Sequence, residues 1–146
     1  MDGTADKSGE RWVDFASAGP GTPGGNYLRL FWQPIAKAAD LEAGKALPIH
    51  VMDEKFTLYR GESGTPYVVG FRCAHRSTQL STGWVRGEAI QCMYHGWTYD
   101  TDGTLIDVSM PEGAAASFDK KDFSLAKAPR MGEYRGFIFV SLADTG

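Results

Sequence analysis

Cys73-Ala74-His75-Arg76 and Cys92-Met93-Tyr94-His95-Gly96 repeat one idea: Cys-x-His, sixteen intervening residues, then Cys-x-x-His. A thiolate and an imidazole so close in sequence can face one centre from a loop tip. Two such tips held side by side offer two sulfur and two nitrogen donors, which either surround one ion or divide between two. The residues before each cysteine place the tips between strands. Tyr67-Val68-Val69-Gly70-Phe71 is β-branched and aromatic and runs into Cys73, and the shorter run 89–91 enters Cys92 in the same manner. Trp97 to Asp100 leads out to Asp102-Gly103, a strong tight-turn pair.

Working outward, Leu47, Ile49 and Val51 alternate with Pro48, His50 and Met52, and Phe56 and Leu58 alternate again beyond the polar pair Asp53-Glu54. That period of two predicts a β-hairpin. Gly61-Glu62-Ser63-Gly64 is a turn cluster, 111–122 a looser stretch, and Phe137-Ile138-Phe139-Val140 a compact buried strand that closes the sheet. The Gly/Pro-rich stretch Gly19 to Gly25 reads as the end of an N-terminal arm, residues 1–25. Tyr27, Leu30 and Phe31 then suggest a short helix capped at Asn26 and limited by Pro34. The prediction is an all-β antiparallel sandwich over 26–146, with a small subdomain at about 72–100 whose loops, 73–83 and 92–100, pack tip to tip.

With 146 residues and 15.9 kDa the chain is one ordinary domain. Its 18 glycines and 7 prolines exceed the roughly 12% background, which favours a turn-rich β domain. A formal net charge of -3 without a dense cationic stretch argues against a nucleic-acid partner. No apolar run has bilayer length, and Asp2, Asp6, Lys7, Glu10, Arg11 and Asp14 leave no apolar segment for a secretory signal. The reading is cytoplasmic. Two cysteines are too few for a disulfide-built scaffold, and there is neither an internal repeat nor a low-complexity tract.

A single-ion site would be structural zinc, yet one residue between Cys73 and His75 is tight for zinc, whose paired ligands are usually two to four apart. The two-iron alternative is a [2Fe–2S] cluster in which two imidazoles replace two thiolates on one iron, the Rieske type, and it uses the four donors with none left over. Here a resemblance enters. The ligand loops, extended to Trp97, are similar to those of the Rieske domain at the N-terminus of the large (alpha) subunit of aromatic ring-hydroxylating, non-haem iron oxygenases, phthalate and phenoxybenzoate dioxygenase group. Gly21-Thr22-Pro23, Phe31-Trp32-Gln33-Pro34, Leu80-Ser81-Thr82-Gly83 and Tyr134-Arg135-Gly136-Phe137-Ile138-Phe139-Val140 match as well, so it spans residues 19–142.

The resemblance implies that Cys73 and Cys92 hold an inner iron and His75 and His95 an outer, more exposed one, with Arg76, Tyr94, Gly96 and Trp97 as immediate cover. Ser77 departs from a frequent glycine and Met93 from a frequent proline, which touches loop rigidity and redox tuning rather than ligation. It implies one-electron transfer from a reductase or ferredoxin to the mononuclear iron of an oxygenase catalytic domain, in a homo-oligomer. Neutral imidazoles make the cluster less negative and raise its potential over an all-cysteine cluster. The respiratory type adds a serine donor where Trp97 stands, so a potential near the low end of the Rieske class is expected.

Blander readings apply to other residues. Trp84, Trp97 and Tyr99 read as core around the loops, His50 as a surface or hydrogen-bonded histidine, 100–103 as a turn rather than a calcium loop, and Lys120-Lys121 as solvated surface. A Cys73–Cys92 disulfide would abolish the thiolates. Beyond His75 and His95 only His50 remains, so no two-histidine, one-carboxylate iron site can be assembled from these residues. No catalytic residue is assigned. The ending from Ser141 to Gly146 resembles a junction into a catalytic domain, which suggests a truncated Rieske portion of an oxygenase; the alternatives are a free-standing Rieske ferredoxin and, last, a zinc-binding module.

Overall fold

The computed structural model describes residues 13–109, 116–126 and 129–143. Residues 1–12 of the expected arm, part of the loose stretch from 111, and residues 144–146 of the expected junction lie outside the described residues. Among the described residues ten strands follow in chain order: β1 (Gln33–Lys37), β2 (Ala46–Val51), β3 (Glu54–Arg60), β4 (Pro66–Gly70), β5 (Trp84–Arg86), β6 (Ala89–Gln91), β7 (Thr98–Tyr99), β8 (Leu105–Asp107), β9 (Arg130–Tyr134) and β10 (Phe137–Ser141). They pair antiparallel into three sheets, ordered β1-β10-β9, β2-β3-β4 and β5-β6-β7-β8. The all-β antiparallel expectation is met. Among the described residues no helix is long and apolar enough to cross a membrane.

The middle sheet is apolar on both faces, because consecutive side chains of a strand point to opposite sides. Leu58 and Val68 join Leu41, Ile49, Ile138 and Val140 in a rear core shared with β1-β10-β9. Tyr59 and Val69 point the other way, into a front core with Leu80, Val85, Ile90 and Leu105. Runs of adjacent apolar residues such as Val68-Val69 are the sequence trace of a strand covered twice.

Glu88, in the β5–β6 turn, ties the front sheet to the middle one. Its side chain accepts from the Tyr67 hydroxyl at 2.8 Å and the Ser63 backbone N–H at 2.9 Å, while its backbone carbonyl accepts from the Tyr59 hydroxyl at 2.8 Å. Gly61 leaves the room this needs, since a Cβ there would overlap the Glu88 carboxylate.

One local expectation needs correction. The helix is α1 (Pro23–Leu28), which starts within the Gly/Pro-rich stretch rather than after it: Thr22 is the N-cap, its Oγ1 accepting from Gly25 N, and Pro23 takes the first turn, where a missing N–H costs nothing. It crosses position 25/26, where the sequence reading places the edge of the arm. The hairpin forms as expected, and its turn is Met52-Asp53; both residues have positive φ, 48° and 62°, as a two-residue turn matched to strand twist requires.

Candidate metal centre

Cys73 leaves the end of β4, and Cys92 leaves β6 into the β6–β7 connection. The two loops share one backbone design. Cys73 N–H donates to the Thr78 carbonyl at 2.8 Å and its carbonyl accepts from Ser77 N–H at 2.9 Å; Cys92 repeats this with Trp97 at 2.8 Å and Gly96 at 3.1 Å. The fourth residue after each cysteine turns through positive φ, Ser77 at 59° and Gly96 at 73°. Each loop closes on itself and presents its cysteine inward and its histidine at the tip.

The donors come together in like pairs. Both cysteines are buried and unbridged, while His75 is half-buried and His95 exposed. The imidazole rings meet edge to face with centroids 4.7 Å apart, so the loops do pack tip to tip. Among the described residues no three His, Cys, Asp or Glu side chains converge as ligands of a single ion would. Two sulfurs inside and two imidazoles outside is a donor set that fits a two-iron group with two protein ligands per iron.

Electrostatics agree with that set. Burial pushes the Cys73 thiol above its ordinary pKa, so it becomes a thiolate only against a strong positive charge such as iron. Burial, with the charges of His95 and Arg76, lowers the His75 pKa and keeps its imidazole in the neutral, metal-binding form. Tyr99 is held protonated by burial and by its contact with Cys73, its hydroxyl lying 3.3 Å from Cys73 Sγ and 2.9 Å from Ala74 N. Against a Cys73 thiolate this phenol is the donor.

The cover residues divide. Trp97 stacks flat on His75, Tyr94 tilts over His95 at 3.9 Å, Gly96 provides the turn, and Arg76 stands exposed beside His75. One core reading is corrected, that of Trp84; Trp97 and Tyr99 are core as expected. Trp84 is half-exposed, with the Arg86 guanidinium 5.8 Å above its ring. Tyr99 is fully buried and in addition sets its hydroxyl against the Cys73 sulfur, a contact made across the fold that spacing in the sequence does not reveal. His50 is exposed and 3.7 Å from Asp53, apart from the centre, and residues 100–103 form a turn closed by Gly103 N–H on the Asp100 carbonyl.

Ser77 carries a left-handed conformation that its twin position gives to glycine. Ser77→Gly should therefore stabilise the protein by about 1 kcal/mol, read as a higher urea midpoint with unchanged slope, and no rise would contradict the strain.

The Rieske [2Fe-2S] domain family model matches residues 31–129. The chain belongs to the Rieske [2Fe–2S] family. The family's cofactor is the Rieske-type cluster for which the donor set is suited. Similar proteins include the phenoxybenzoate dioxygenase subunit alpha of Ectopseudomonas oleovorans, 40% identical over 94 residues (64% of this chain, 23% of that protein). The 5,5'-dehydrodivanillate O-demethylase oxygenase subunit of Sphingobium sp. (strain NBRC 103272 / SYK-6) is 32% identical over 133 residues (91% and 31%). Among solved structures, NdmA of Pseudomonas putida CBB5 superposes with a TM-score of 0.68 at 31% identity, over 80% of this Rieske chain and 36% of that one. The Rieske chain thus spans under a third of the length of these two curated relatives.

Proposed function

We propose that Cys73 and Cys92 hold one iron and His75 and His95 the other, and that the chain relays single electrons from a reductase or ferredoxin to the mononuclear iron of an oxygenase catalytic domain. The observation that carries this is the pairing of like donors, thiols together inside and imidazoles together at the tip. The similar proteins are oxygenase subunits, which favours a relay within an oxygenase over a free-standing carrier. Two buried, unbridged thiols suit a reducing compartment and support a cytoplasmic place. Residues at about 72–100 are the chain's cluster-binding part.

When bound, the cluster supplies a centre that gains and loses one electron. The chain's own groups do the rest. Cys73 and Cys92 sit where water is excluded, and His75 and His95 point one edge of the centre toward solvent. Tyr99 donates to the Cys73 sulfur, a bond that strengthens as negative charge on that sulfur grows. Tyr99→Phe should lower the midpoint potential by about 50 mV, the equivalent of about 1 kcal/mol for one electron, measured by redox titration.

The experiment for the whole reading is electron paramagnetic resonance of the reduced protein alongside iron and acid-labile sulfide assays. A Rieske signal with iron and sulfide in equal amounts supports it. A colourless protein holding zinc and no sulfide overturns it.

A further inference from the structure

The two imidazoles are not held alike. The His75 ring lies on the Trp97 indole with centroids 4.6 Å apart and planes 10° from parallel. Trp97 is itself wedged, with Phe118 at 5.9 Å and 75° and Phe123 at 5.6 Å and 89°, and these two phenylalanines stack on each other at 5.0 Å. Trp97 is only 8% exposed. His95 meets the edge of His75 on one side and Tyr94 on the other, and Tyr94 is 61% exposed with no aromatic ring packed behind it among the described residues.

A histidine ring turns about two side-chain bonds, and the direction of its nitrogens follows from both. A flat indole backed by two rings removes one face of that freedom, because any large rotation would drive the imidazole into a surface that cannot retreat. His95 faces no such wall.

Resting on the ligand assignment proposed above, we infer that Trp97 is the positioning residue of His75. The Trp97–Phe118–Phe123 wedge sets the His75 imidazole in its ligating direction before iron arrives, and His95 is the ligand that adjusts. Partners that orient a metal-bound histidine typically contribute tenfold to a hundredfold in metal affinity.

The test uses the cluster-loaded protein, in which wild type must first give the Rieske signal; its absence would fault the ligand assignment and not this inference. Trp97→Leu keeps apolar volume but removes the flat face. It should broaden the resonance lines, alter the nitrogen coupling of one imidazole in pulsed measurements, and release iron to a chelator about tenfold faster. Trp97→Phe should restore most of each value. Should Trp97→Leu fail to fold, the double variant Phe118→Leu, Phe123→Leu leaves Trp97 in place and should show the same broadening in milder form. Ile138→Ala, in the rear core, serves as the control for lost stability and should leave the line shape unmoved. Unchanged lines, coupling and release in Trp97→Leu, or in the double variant if it alone folds, would overturn the inference, as would equal broadening in Ile138→Ala.

Discussion

His95→Cys should leave the protein able to take up iron and sulfide while its midpoint potential falls by about 100 mV or more. The substitution puts an anionic thiolate where a neutral imidazole stood, so the added electron enters a more negative centre; Rieske centres lie between about −150 and +300 mV, and all-cysteine plant-type centres near −400 mV. His95 is the better of the two histidines for this exchange, being exposed and free of the indole stack that shapes the surroundings of His75. His95→Ala supplies no donor and should lose or cripple the cluster, seen as bleaching of the visible spectrum. An undisturbed spectrum in His95→Ala would refute the ligand assignment.

Gly83→Ala should be among the most damaging single-methyl changes available in the chain. Gly83 ends the short 3-10 turn Leu80–Thr82 and meets β6 so closely that a Cβ would overlap the Gln91 carbonyl oxygen, with the Leu80 carbonyl 3.1 Å away. Both neighbours are backbone, which cannot swing aside like a side chain. Relief requires β5 and β6 to part, and β6 leads directly into Cys92. We expect a loss of about 3 kcal/mol, the upper part of the usual overpacking cost, which for a chain of this size lowers the melting temperature by roughly 10 °C. Iron per chain should fall with it. A thermal melt matching wild type would show that the strands can separate cheaply.

The sequence carried the centre more fully than the frame around it. Cys-x-His and Cys-x-x-His, each fed by a β-rich run, told which side chains meet, because ligand chemistry restricts both residue type and spacing. The period of two from Leu47 to Leu58 gave a hairpin, and the apolar run at 137–140 gave the central strand of the rear sheet. Strands β1, β5, β8 and β9 leave little trace in the sequence; with only three to five residues each and little apolar patterning, they are strands because neighbours pair with them. The helix starts earlier than its apolar spacing suggests because Thr22-Pro23, which looks like a breaker, is a cap followed by a first-turn proline. Tyr99 and the Phe118–Phe123 backing were hidden for a different reason. Their roles depend on what lies across the fold, Cys73 for one and Trp97 for the others.

The Glu88 anchorage also fixes how the molecule meets acid. The Ser63 N–H and the Tyr67 hydroxyl, in that order, hold this carboxyl below its ordinary pKa, so folding gains from its ionised form. That gain is complete above the ordinary carboxylate range and drains away as pH falls through the depressed value. Acid would therefore weaken the carboxylate's share of the join between the sheet that leads into Cys92 and the one behind it, leaving the Tyr59 bond to the Glu88 carbonyl to hold that edge.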